Sequence, residues 1–231
     1  MQYLSDGLGE AMGYLLRMEP SVISAAFRSL WISSLAVLFA TLCGVPLGSW
    51  LARASIPGRW LLVFALRVAM AFPTVFLGLV CFAIFSRRGP LGALELLYTP
   101  WVIVIGEFVL AVPIIASLTH GAVFSLDSRV HETAVTLGAG PIRRWFTYIS
   151  EARTGITLAV LTAFARCITE LGIAMMVGGN IQGRTRTLAT ATAMETDKGA
   201  FAQGLAMGFI MLTIALLVTA IIGWLNHENE V

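Results

Sequence analysis

Long apolar runs alternate with short polar connections along the chain. Uncharged runs extend from Ser29 to Ala52, from Val68 to Ser86 and from Gly199 to Asn226. Two further apolar stretches carry isolated polar groups. Trp101 to Leu126 contains Glu107 and His120, and Thr154 to Val177 contains Arg166 and Glu170. A helix of about 20 predominantly apolar residues crosses a bilayer. The pattern therefore predicts an all-α integral membrane fold with five spans, at about 27–52, 60–86, 101–124, 154–178 and 200–225. Residues 1–20 alternate apolar and polar positions around Tyr3, Leu4, Leu8, Met12, Leu15 and Leu16, which predicts an amphipathic segment at the outer interface. Residues 227–231 form a short cytoplasmic tail.

Within the spans, Pro46, Pro73 and Pro113 lack an amide donor and are expected to kink their helices. Gly44 with Gly48, and Gly204 with Gly208, offer small faces for close helix packing. Trp31, Trp60, Trp101 and Trp224 fall near predicted span ends, where aromatic belts form.

One polar stretch interrupts this pattern in an organised way. Residues 127–152 are basic and carry helix punctuation. Asp127 or Ser128 can cap a short helix starting near Arg129, Gly138 and Gly140 end it, and Pro141 suits the first turn of a second. The expected product is two short helices lying flat beneath the bilayer. Gly138 leaves the backbone open to close approach, and Glu132 offers a charge to a cationic partner. From the loop alone, a docking platform and an ordinary amphipathic loop remain open.

Composition supports the membrane assignment. Apolar residues make up 58% of the 231 positions and charged residues only 12%, about half the charge of a soluble domain. The net charge of +2 is too small to suggest nucleic acid as a partner. Cys43, Cys81 and Cys167 sit in apolar runs without metal-ligand spacing, so no metal site is expected and all three read as small buried residues. The N-terminus has no early basic cluster of the kind a cleaved signal peptide carries. No soluble extension follows Asn226, so regulation through a C-terminal domain is not expected. Charge bias does not orient the chain. With residues 127–152 inside, Arg53, Arg59, Arg67, Arg129, Arg143, Arg144 and Arg153 are cytoplasmic. Arg17, Arg28, Arg87, Arg88, Arg184, Arg186 and Lys198 lie outside, an even division.

The triplet Glu132-Thr133-Ala134 followed by Gly138 and Ile149 resembles the EAA loop of ABC importer permeases, which docks on the ATPase subunit. It departs at Thr133, in a one-residue delay before Ile149, and in Ser150-Glu151-Ala152, which replaces the usual Leu-Pro ending. Downstream, EARTGI at 151–156, RCITELGIAMMVGGNI at 166–181, RTLATA at 186–191 and MET at 194–196 resemble permease subunits of bacterial oxyanion importers, most closely the tungstate branch. GVPLG at 44–48 and AFPT at 71–74 match the general permease pattern. The resemblance implies a type I ABC importer permease in the inner membrane, N-terminus outside and C-terminus cytoplasmic. It implies a homodimer, two cytoplasmic ATPases that bind ATP and Mg, and an extracytoplasmic binding protein. Tungstate is the implied cargo, with molybdate or sulfate as alternatives. It also implies that Glu132, Thr133, Ala134, Gly138 and Gly140 couple the chain to the ATPase.

The chemistry-bearing residues inside the spans are few. Arg166 and Glu170 are four apart, one turn from each other on a single helix face. At membrane depth both are expensive and should pair. They read either as an internal ion pair that holds the bundle or as the lining and gate of an anion path. Met175, Met176, Gly178, Gly179 and Asn180 follow, as a helix stop with flexible packing or as part of that path, where exposed amides can contact an oxyanion. Arg184 and Arg186 are predicted in an outer loop, as solvated arginines, as docking groups for the binding protein or as anion attractors. Glu107 is expected to pair with Arg87 or Arg88, and His120 to be a satisfied interfacial histidine.

Other function classes find little support. An ion-coupled carrier would show internal repeats and several intramembrane acids, and only Glu107 and Glu170 are present. No GxxxxGK[ST] phosphate loop, HExxH or GxSxG occurs. The chain is therefore expected to have no catalytic residues and to bind no cofactor, with energy supplied by a partner.

Overall fold

A computed structural model describes residues 20–227, so all but the last residue of the expected 1–20 amphipathic segment, and all but the first of the expected 227–231 tail, lie outside the described residues. Ten α-helices occur among them: α1 Pro20–Arg53, α2 Arg59–Met70, α3 Thr74–Phe85, α4 Pro100–Phe124, α5 Ser128–Thr136, α6 Pro141–Glu151, α7 Arg153–Ile168, α8 Gly172–Gly178, α9 Leu188–Asp197 and α10 Phe201–His227. Three helices are long and apolar enough to cross a membrane, α1, α4 and α10. The count becomes five if α2 with α3, and α7 with α8, each form one bent span. That agrees with the five predicted apolar runs and corrects two of them, because the second and fourth spans are not continuous helices.

The centre of the bundle is α1 against α4. Gly44 and Gly48 make their close approach possible. A Cβ on Gly44 would sit 3.0 Å from Ile115 Cβ, and one on Gly48 would collide with the Ala116 carbonyl and lie 3.0 Å from His120 N. Nearer the N-terminal end of α1, Trp31 meets Trp101 edge-on with ring centroids 6.2 Å apart. Because the Gly48 contact is backbone against backbone, no rotamer change can relieve a side chain there. Gly48→Val is expected to cost about 2 kcal/mol or more, seen as a lower melting temperature in detergent, whereas Gly121→Ala should melt like the parent because the space beside Gly121 is open.

Apolar clusters line both sides of α1. Ile32, Ile103, Ile173 and Val177 join α1, α4 and α8. Ala40, Ile115, Ala163 and Cys167 join α1, α4 and α7. Val22, Leu188 and Met207 join α1, α9 and α10. Cys81 and Cys167 are buried as expected, but Cys43 is exposed on the surface of the chain.

Proline has opposite consequences at different places. Helices α1 and α4 run through Pro46 and Pro113 without a break. By contrast, α2 ends at Met70, Pro73 starts α3, and the two axes meet at 97°. Proline disfavours helical backbone in the residue before it, here Phe72. With 12 residues each, α2 and α3 are about 18 Å long, so neither alone crosses a bilayer core of about 30 Å. Helix α2 buries none of its residues within this chain.

Candidate functional site

The platform is built by local backbone chemistry. Asp127 caps α5, its carboxylate accepting from Arg129 N at 2.8 Å. At the other end Gly138 takes φ +70°, the left-handed conformation that glycine adopts freely. That geometry lets Ala139 N donate to Ala134 O and Gly138 N to Val135 O, both at 2.9 Å, the paired bonds of a Schellman close. Pro141 then opens α6 at its first position. Ala134 is buried, while Glu132, Thr133, Gly138 and Gly140 are exposed. A groove of about 670 Å³ lies between the two helices, lined by Arg129, Thr133, Ala134, Leu137, Arg143 and Glu151 among others. Leu137 lines it and is 79% exposed, and Ile142 on α6 is 75% exposed, bare apolar surface that suits a protein partner.

The platform is clasped to the bundle by contacts that the sequence reading did not foresee. Trp145 Nε1 donates to Ser49 Oγ on α1 at 2.8 Å. The Tyr148 hydroxyl meets His131 Nδ1 at 2.5 Å, and the Arg53 guanidinium lies 4.8 Å from the centre of the Tyr148 ring. Arg53 Nη2 also donates to Val123 O at the end of α4. A displacement of α5 and α6 is therefore felt directly by the ends of α1 and α4.

A second site forms where the fourth span breaks. Helix α7 stops at Ile168, α8 starts at Gly172, and the bend is 55°. Glu170 spans the gap. Its Oε2 accepts from Arg166 Nη1 at 2.6 Å and its Oε1 from Ile173 N at 3.1 Å. One carboxylate thus pairs an arginine and satisfies an amide that a broken helix leaves without a partner. The Glu170 side chain is 1% exposed, whereas that of Arg166 is 41% exposed. The two broken spans meet at glycines. Gly172 lies against Thr74 and Val75, and Gly78 against Ile173 and Met176. Met175 and Gly179 are exposed beyond this crossing, and Met176 is half-buried.

Glu107 is not paired with Arg87 or Arg88. It is 2% exposed, takes a hydrogen bond from Ser33, and has Glu170 as its charged neighbour. Its backbone carbonyl accepts from Cys167 Sγ. His120 is satisfied as expected, with Arg59 Nη2 at 3.3 Å from its Nε2 and its ring stacked on Phe124.

Residues 44–229 match the family model described as binding-protein-dependent transport system inner membrane component. The chain belongs to this family. This transport component is 34% identical over 228 residues to the tungstate uptake system permease protein TupB of Peptoclostridium acidaminophilum, covering 99% of this chain and 100% of the relative. It is 34% identical over 221 residues to TupB of Campylobacter jejuni, covering 96% and 92%. The molybdenum transport system permease protein ModB of Escherichia coli is 31% identical over 219 residues, covering 89% and 94%. In fold, the chain is similar to one of the inward-facing MetNI methionine ABC transporter, with a TM-score of 0.72 at 15% identity, covering 90% of this chain and 98% of that one. The architecture is thus that of a type I ABC importer permease, a multi-pass membrane protein.

The third region is the one that the sequence misread most. The predicted outer loop after Asn180 contains helix α9, fully helical from Leu188 to Asp197 and opened by a capping box between Thr187 and Thr190. Ser29 Oγ of α1 accepts from Leu188 N at 2.8 Å. Arg184 is exposed, but Arg186 is 9% exposed and pairs with Glu195 at 3.5 Å. The chain reaches α9 through Gly179 and Asn180, both at positive φ, with Thr185 Oγ1 bonded to Gly178 O at 2.6 Å. The capping residues were visible in the sequence.

Proposed function

We infer that the chain is the permease subunit of an ATP-driven importer whose cargo is tungstate. The observation that carries the cargo assignment is the likeness to TupB over the whole of both chains. In this reading two copies assemble about a two-fold axis, each platform rests on one cytoplasmic ATPase, and a loaded binding protein docks on the opposite side. The N-terminus is outside and the C-terminus cytoplasmic. ATP and Mg are held by the ATPase, and this chain catalyses no reaction itself.

Glu132, Thr133, Ala134, Gly138 and Gly140 form the ATPase contact, and the groove beside them takes an element of that partner. When the ATPases close, the clasp through Trp145 and Tyr148 transmits the motion to α1 and α4. The breaks at 71–73 and 169–171 supply articulation, as discontinuous helices do in other transporters. Arg166, Glu170, Met175, Met176, Gly178, Gly179 and Asn180 then lie along or beside the route, with Arg166 facing the partner copy or the anion. Arg184 and Arg186 bring positive charge to the outer mouth.

Molybdate is a second reading, favoured by the 31% identity to ModB. Competition uptake separates the two. In proteoliposomes holding the permease, ATPase and binding protein, tungstate, molybdate and sulfate are offered together and the accumulated metal is read by elemental mass spectrometry. ATP-dependent tungstate accumulation above molybdate is the expected result. Molybdate in excess of tungstate would reassign the cargo, and no ATP-dependent uptake of any oxyanion by an intact complex would overturn the reading.

A further inference from the structure

At the end of the bundle opposite the platform, two deeply buried polar side chains are left with poor partners. Asn180 is 7% exposed and Arg186 is 9% exposed. Both direct an N–H donor at the same atom, the thioether sulfur of Met194. Asn180 Nδ2 donates to it, and Arg186 Nη2 does so at 3.5 Å. A thioether is among the weakest acceptors a protein offers. Arg186 Nε has no partner at all, and neither has Asn180 Oδ1. A buried guanidinium held this way is costly unless something better takes its donors.

The charges around it are unbalanced in one direction. Glu195 Oε1 is shared between Arg186 Nη1 at 3.5 Å and Lys198 Nζ at 3.0 Å. Arg28 adds a third cation, its Nε donating to the backbone carbonyl of Arg186 at 2.9 Å. Among the described residues, two cations share the Glu195 carboxylate, and a third, Arg28, stands against the Arg186 backbone. An arrangement serving only to neutralise Glu195 at the end of α9 needs one cation. The Lys198 contact, the shorter of the two, already provides it.

Met194 is half-buried and sits over these donors. Its side chain is unbranched and rotates easily about three bonds. Swung aside, it uncovers the Arg186 fork and the Asn180 amide at one point. A fork of N–H donors matches two oxygens of a tetrahedral anion, and charge-assisted bonds to such an anion are far stronger than bonds to sulfur. Glu195 stays with Lys198 while the anion replaces it on Arg186.

We propose that Arg186, Asn180 and Lys198 form a resting site for a tetrahedral oxyanion of charge −2, with the Met194 side chain as its lid. The assignment rests on the reading of the chain as an oxyanion permease and places a first stop for the anion at the outer end, before the broken helices. Arg28 and Lys198 supply the field that draws the dianion in, and Arg186 supplies the oriented donors.

The test is equilibrium dialysis of the purified permease–ATPase complex, without binding protein, against tungstate measured by elemental mass spectrometry. One tungstate per permease chain is expected, displaced by molybdate and by sulfate. Met194→Ala should bind several-fold more tightly, because no side chain has to be moved. Arg186→Lys keeps the charge and the partner for Glu195, and so the fold, but loses the fork. It should bind about tenfold more weakly, equivalent to 1.4 kcal/mol. Absence of binding in both the parent and Met194→Ala, or unchanged affinity in Arg186→Lys, would overturn the site. Uptake with the binding protein, run on the same preparation, separates the two readings. ATP-driven uptake without dialysis binding removes the resting site and keeps the cargo assignment. Binding that responds to both variants, without ATP-driven uptake of any oxyanion, keeps the site and removes the cargo assignment.

Discussion

Gly138→Asp is expected to abolish substrate-stimulated ATP hydrolysis in the assembled transporter while the chain still folds and inserts. The two bonds that close α5 are made by backbone amides, from Gly138 and Ala139, and a side chain at 138 removes neither. A Cβ there meets nothing within 4 Å. The folding cost is therefore confined to placing an L-residue at φ +70°, about 1 kcal/mol, and aspartate tolerates that region better than most. The docking cost is much larger. The new carboxylate projects beside Leu137, at the rim of the groove, where an ATPase contact would strip its water. Burying an unpaired charge at an interface costs about 2–5 kcal/mol, a loss of affinity of roughly thirtyfold to a few thousandfold. The decisive pair of measurements is hydrolysis stimulated by the loaded binding protein and co-purification of the ATPase. Parent-like stimulation would sink the assignment of this turn as the contact.

The platform was the most legible part of the molecule because its signals are local. Asp127, Gly138 and Pro141 each act on backbone within a few residues of themselves, and each stands in the role that its chemistry dictates. The same holds for Arg166 and Glu170, which needed only helical spacing to meet. The breaks in the second and fourth spans were less legible. Pro46, Pro73 and Pro113 carry the same local signal, yet only Pro73 divides a helix. Around it the tertiary neighbours supply the difference, since α8 packs into the bend through Gly172 and Gly78, contacts about a hundred residues apart in the chain.

Glu107 and Arg186 were misjudged for a different reason. Nearby arginines suggested an outward Glu107, but helical phase pointed inward. Val104, Leu110 and Ala111 share its face of α4, and all three are buried. Arg186 does stand in the turn before α9, as expected, but it is buried there rather than solvated. The Thr187-x-x-Thr190 cap and the run of small residues behind it were helix signals, and only the grooves against α1 and α10 gave that helix somewhere to be buried. Local punctuation thus located the docking surface, whereas the interior polar groups depended on which helix lay opposite.

Glu170→Ala is expected to cost about 2–3 kcal/mol of stability, below the range for a fully buried ion pair because the Arg166 side chain is 41% exposed, and to reduce transport with it. Two groups lose their partner at once. Arg166 Nη1 loses an oxygen at 2.6 Å and Ile173 N loses one at 3.1 Å. Since these bonds hold α7 and α8 across the break, the 55° bend is no longer tied from both sides. Glu170→Gln separates the contributions. Its amide oxygen can still accept from Ile173 N, while the charge that balances Arg166 is gone. A hydrogen bond to a charged group is worth about 1.5–3 kcal/mol. The Gln variant should therefore melt between Ala and parent. Thermal melting in detergent, paired with uptake in proteoliposomes, reads both effects. If the two variants fall together, the charge pair holds the break and the amide contact contributes little. If Gln matches the parent while Ala falls, the capping of α8 is the element that matters. A parent-like melting temperature and uptake rate in Glu170→Ala would remove this residue from both roles.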